Sequence, residues 1–99
     1  MNILSSYNGD RKNVVIPEGI RMIRGEEIAY GTEFEMEDRR LWEKRVKAPF
    51  SRDKRIESVS MGDSVVVIGP KAFEHCSNLK SIKLSNKLEV IGLSAFLGC

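Results

Sequence analysis

The chain has 99 residues, of which 41% are hydrophobic, 7% aromatic and 30% charged, with a formal net charge of +2. A chain of that length holds a single core, and this one is too apolar for intrinsic disorder and too charged for a membrane span. Near-neutral charge removes any general electrostatic reason to expect nucleic acid or lipid as the partner.

Met1 to Asp10 reads MNILSSYNGD. It lacks both the basic n-region and the apolar run of about 7–15 residues that a secretory signal needs. We therefore expect a cytoplasmic location if the chain is complete, and the cell surface if it is a piece of a secreted protein. The first patterned segment is Val14-Val15-Ile16-Pro17-Glu18-Gly19-Ile20, which matches Val59 through Val65 further along. Ile23 then takes the place of Ile68, and Ala29-Tyr30 that of Ala72-Phe73 after a two-residue insertion.

A charged middle follows. Glu26–Asp38 carries six acids and no base, and Arg39–Arg55 carries eight bases and two acids. Residues 33–47 are rich in Glu, Arg, Lys and Leu, which predicts a helix. Acids precede bases along it, and Glu35–Arg39 and Glu43–Lys47 are (i, i+4) pairs. Phe34, Leu41, Trp42 and Val46 would share one face, and Pro49 would stop the element. Either this helix is solvated and self-neutralised, with Trp42 packed on the rest of the domain, or it docks a partner through Trp42, Arg39 and Arg40. Nucleic-acid binding through the basic run is disfavoured, because the adjacent acidic run would repel the phosphate backbone.

The C-terminal half repeats itself. Ile56–Cys76 lies over Leu79–Cys99 at a constant offset of 23 residues: Val59 on Ile82, Met61 on Leu84, Val65 on Leu88, Ile68 on Ile91, Gly69 on Gly92, Phe73 on Phe96 and Cys76 on Cys99. Phe50 maps onto Phe73 at the same offset, with Asp53 standing where Cys76 would be. We count two clear units (56–78 and 79–99), one N-terminal unit (7–30) and one eroded unit carrying the charged insert (31–55), all within a single domain, 1–99. The end of the Leu79-x-x-Ile82-x-Leu84 pattern alternates as a short strand does. Asn86 supplies a turn, Pro70 suits the first position of a short helical turn, and that turn would aim Ala72, Phe73 and Cys76 inward. One coil cannot bury its apolar column alone, so the coils must stack. The expected architecture is α/β, a right-handed solenoid with short parallel strands on one side, turns or short helices on the other, and a helical charged insert.

These residues resemble a known family. The phrase VVIPEGI at Val14–Ile20, preceded by Tyr7-Asn8-Gly9, is similar to the BspA-like branch of leucine-rich repeats, as is V-x-x-I-G-x-x-A-F-x-x-C at Val65–Cys76 with its near copy at Leu88–Cys99. The resemblance implies a leucine-rich-repeat solenoid. Members are mostly non-enzymatic; many are bacterial or protozoan surface proteins that bind host or matrix proteins.

No nucleophile–base constellation emerges. His75 and Cys76 are neighbours, and adjacent residues on a helical turn point about 100° apart. Cys76 recurs as Cys99, preceded there by Gly98, as a core column predicts. One His and two Cys leave no metal site to expect, and no cofactor is called for. We expect a non-catalytic protein–protein interaction module; the alternative is a structural spacer within a longer repeat protein. The outward strand positions, Ser58 and Ser60 in one unit and Ser81, Lys83 and Ser85 in the next, are the candidate binding face, joined by Trp42, Arg39 and Arg40. The last coil shows an apolar column to whatever adjoins it, so either a longer array continues from it or two copies associate through that end or by swapping.

Overall fold

The computed structural model describes residues 2–32, 41–46 and 48–99, with residues 27–32 and 41–46 as backbone alone. Seven of its strands are short, parallel and stacked in two columns. One column is β1 (Ile3–Leu4), β3 (Met22–Ile23), β7 (Val67–Ile68) and β9 (Val90–Ile91). The other is β2 (Asn13–Val15), β6 (Ser58–Ser60) and β8 (Ser81–Lys83). In each strand the apolar residue that the pattern aims inward meets its counterpart one coil on: Val14 pairs with Val59 and Val59 with Ile82, while Ile23 pairs with Ile68 and Ile68 with Ile91. Val14, Ile23, Val59 and Ile68 are all buried. Period-two alternation thus makes the strand, and the column of partners makes the core.

A third side of the coil is built from turns rather than helices; among the described residues no helix forms, and none is long and apolar enough to cross a membrane. Here too the backbone runs a ladder between coils. Lys71, Phe73 and His75 donate their N–H groups to the carbonyls of Leu93, Ala95 and Leu97 at 3.0, 2.8 and 2.7 Å. Arg52, Lys71, His75 and Ser94 hold φ near +60°, a left-handed conformation that costs a non-glycine residue about 1–2 kcal/mol. The inter-coil bonds of Arg52, Lys71 and His75 help to offset that strain. Gly69 and Gly92 mark the corner before this side. A methyl at Gly69 would run into the backbone of Gly25, and one at Gly92 into that of Pro70, so only glycine lets the coils approach this closely.

Inside the turn side runs an aromatic column. Tyr7 meets Phe50 with ring centroids 5.3 Å apart and planes tilted by 59°. Phe50 and Phe73 stack at 5.3 Å and 5°, and Phe73 and Phe96 at 5.4 Å and 1°. Ala72, Phe73 and Cys76 all point inward and are fully buried, in line with the spacing.

Two expectations need correction. β2 pairs directly with β6, and β3 with β7, so among the described residues no strand of the unit 31–55 stands between the N-terminal unit and 56–78 in either column. The segment 13–23 supplies the two strands of a coil whose turn side is completed by 48–55, with Phe50 in the aromatic column. Between them lies an antiparallel pair, β4 (Glu27–Thr32) and β5 (Leu41–Val46), running from Glu27 opposite Val46 to Thr32 opposite Leu41. The helix expected over 33–47 is therefore replaced by strand at Leu41–Val46; residues 33–40 lie outside the described residues. An (i, i+4) pair contributes only about 0.2–0.5 kcal/mol to a helix. Pairing with a segment rich in Ile28, Tyr30 and Thr32 outweighs that, because β structure responds to cross-strand context more than to local propensity.

Candidate functional site

The outward positions of the β2–β6–β8 column form two rows. Ser58 lies between Asn13 and Ser81, and Ser60 between Val15 and Lys83. The Ser58 hydroxyl donates to Asn13 Oδ1 at 2.8 Å. Ser81 and Lys83 are exposed, and Ser58 and Ser60 are half-buried. Ser85 is not part of this face. β8 ends at Lys83, and Ser85 turns inward, becoming buried while its hydroxyl accepts the Lys87 N–H at 3.2 Å, a local turn bond of the kind serine favours. Trp42 sits in β5 opposite Gly31, on a strand rather than a helix. Its side chain, like Arg39 and Arg40 altogether, lies outside the described residues.

The thiols follow the core column. Cys76 is fully buried and its Sγ donates to the Phe50 carbonyl at 3.0 Å; Cys99 repeats the contact with the Phe73 carbonyl at 3.1 Å. Burial pushes the Cys76 thiol up to about 11 and raises that of Cys99 as well, so neither is a ready thiolate at neutral pH. His75 is directed elsewhere: its Nε2 stands 3.8 Å from Oε1 of the buried Glu74, which also lies 3.5 Å from Arg52 Nη2. Among the described residues no cluster of His, Cys, Asp and Glu is placed to hold a metal ion.

Asp53 occupies the cysteine position of its coil and changes the chemistry there. It is buried, and its carboxylate accepts Arg55 Nε at 2.9 Å, Arg55 Nη2 at 3.0 Å, the Arg55 backbone N–H at 3.0 Å and Arg11 Nη1 at 3.0 Å. Burial alone would raise its pKa, but the hydrogen bonds from Arg55 and Arg11 outweigh it and hold the carboxyl below its ordinary value. Arg11 also donates to the carbonyls of Pro49 and Tyr7 at 2.9 and 2.7 Å, with its guanidinium 5.8 Å from the Tyr7 ring centre and 5.9 Å from that of Phe50. Sequence reasoning passed over Arg11. The available signal was a carboxylate at a position where the repeat wants a neutral thiol, since a buried charge requires a cation.

The last coil presents the opposite character. Leu84, Val90, Ile91, Leu93 and Leu97 are exposed, Leu93 to 83% and Ile91 to 51%, whereas Met61 and Ile68, their forerunners at Leu84 and Ile91, are buried. β8 and β9 are the outer strands of their sheets. An apolar patch and two unpaired strand edges coincide.

A family model described as the BspA type leucine rich repeat region (6 copies) matches residues 43–99. No curated protein and no solved structure gives a significant match.

Proposed function

We propose, from the premise that this chain belongs to the BspA-type leucine-rich-repeat family, that it is a non-catalytic protein–protein interaction module. Repeats of this family generally mediate protein interactions. The coils are taken to wind right-handedly, as crossovers between parallel strands do in about 98% of cases. The observation that carries the reading is the exposed apolar surface of the last coil beside the open edges of β8 and β9. A surface of that kind is completed by another strand-bearing coil, and for the 99-residue chain in isolation a second copy supplies one. The serine-rich face of Ser58, Ser60, Ser81 and Lys83 adds a polar contact zone with little to anchor a partner. Its poverty in anchors favours, as the second reading, a spacer that binds nothing through its sheet.

Sedimentation equilibrium tests the main reading. The native chain should associate reversibly at micromolar to high micromolar concentration, and Leu93→Glu, which places a charge on the most exposed large apolar residue among those described, should hold it monomeric. A native chain that stays strictly monomeric throughout that range would overturn association through the end. Loss of a captured protein partner on double substitution of Ser58 and Ser81 by Glu would count against the spacer.

A further inference from the structure

The turn side carries a furrow that the end-face reading leaves unused. Its first part, about 620 Å³, is bordered by Arg11, Ser51, Arg52, Asp53, Lys54 and Arg55. A second part of about 410 Å³ continues past Arg52 and Lys54 to His75 and Ser77. Among the described residues, four permanent cations and a single carboxylate therefore line one groove, on a chain whose whole net charge is only +2.

These cations are held in place before any ligand arrives. Asp53 takes the Arg55 fork through both carboxylate oxygens and binds Arg11 as well. Arg11 is further tied to the carbonyls of Pro49 and Tyr7. The backbone at Arg52 is pinned by its bond to the Glu74 carbonyl, and that at Lys54 by Asn78 Nδ2 donating to its carbonyl at 2.7 Å. Ordering the Arg11 and Arg55 side chains, and the backbone that carries Arg52 and Lys54, in advance lowers the entropic cost of binding. Arg52 and Arg55 nevertheless keep most of their side-chain surface in water. The Ser51 hydroxyl, on the groove wall, is buried and has no hydrogen-bond partner among the described residues.

We infer that this furrow docks an acidic peptide: a run of Glu or Asp side chains on a partner polypeptide, with carboxylates meeting the exposed edges of Arg52, Lys54 and Arg55. The planar carboxylate matches the guanidinium fork. A phosphodiester chain fits less well. The nearby rings of Tyr7 and Phe50 lie against Arg11 instead of standing open for base stacking. The inference rests on the interaction reading for a polypeptide partner, but uses a surface other than the apolar end.

Fluorescence anisotropy with the full chain tests it, the probe being a labelled short peptide alternating Glu and Ser, and the control its Gln-for-Glu counterpart. The acidic peptide should bind at about 50 mM salt and weaken about tenfold by about 300 mM, as exposed charges are screened. The control should not bind. The double variant Arg52→Gln, Lys54→Glu should lose about tenfold with an unchanged circular-dichroism spectrum. Absence of binding at low salt, undiminished binding by the double variant, or tighter binding of a single-stranded oligonucleotide would each overturn the assignment. Sedimentation of the same samples separates the two proposals: association without peptide binding removes only the groove, and peptide binding by a strict monomer removes only the end face.

Discussion

At the scale of single residues, one substitution within the repeat decides most of the local electrostatics. Where Cys76 and Cys99 each donate a weak bond to a phenylalanine carbonyl, Asp53 gathers two arginines. Its folded-state pKa lies below the ordinary 3.8. The stabilisation it provides is therefore fully present above about pH 4, and is lost as pH falls through the lower folded value and the carboxylate takes up its proton. Removing the charge should cost about 1–3 kcal/mol at pH 7, toward the low end because Arg55 is 71% exposed and well screened. Asp53→Asn should thus unfold at lower urea than the native chain at pH 7, with the gap closing toward pH 2. Equal unfolding midpoints at pH 7 would show that the pair contributes nothing. Sequence indicated that Asp53 departs from the column, but not its partner. Arg11 lies 42 residues away, and only the stacking of successive coils brings it near.

At the scale of elements, the aromatic column shows how position in a stack sets energetic weight. Phe73 is fully buried with a ring on each side, while Phe96 is half-buried with one described ring neighbour. Phe73→Ala should cost about 3–5 kcal/mol, a large part of the 5–15 kcal/mol that holds a domain of this kind together. Phe96→Ala should cost about 1–2 kcal/mol, since less area leaves water and one ring contact is lost. Urea denaturation of the two variants checks the order; equal losses would mean that the column does not behave as a stack. The 23-residue spacing of Phe50, Phe73 and Phe96 was readable because a one-dimensional array repeats the same environment at the same interval. The β4–β5 pair was not. A strand pair is specified by the partner across from it, and nothing in the local run Leu41–Val46 names Glu27–Thr32 as that partner.

At the scale of the whole molecule, each coil leans only on its neighbours, so stability should vary along the axis. Amides that bridge interior coils, such as Gly69 to the Ile23 carbonyl and Ile16 to that of Ser60, should exchange most slowly. Those of the last turn, such as Leu97 bonded to Ser94 and Cys99 bonded to Phe96, should exchange fastest. Hydrogen exchange on the native chain checks this, and uniform protection from Ile56 to Cys99 would contradict it. The same geometry explains why Leu84 and Ile91 are exposed although their pattern is a core pattern. A repeat position is buried by the coil that covers it, not by its own letter.

Sequence alone determined the period, the inward residues Val14, Val59, Ile68 and Phe73, the glycine corners and the family. Each of these depends on spacing along the chain, and in a stacked coil spacing along the chain becomes position in space. Tertiary structure alone decided that 13–23 and 48–55 belong to one coil, that Ser85 turns inward, and that Arg11, Arg52, Lys54 and Arg55 border a common groove. Those features depend on which distant segments become neighbours, and the free energy of such contacts is absent from any local window of sequence.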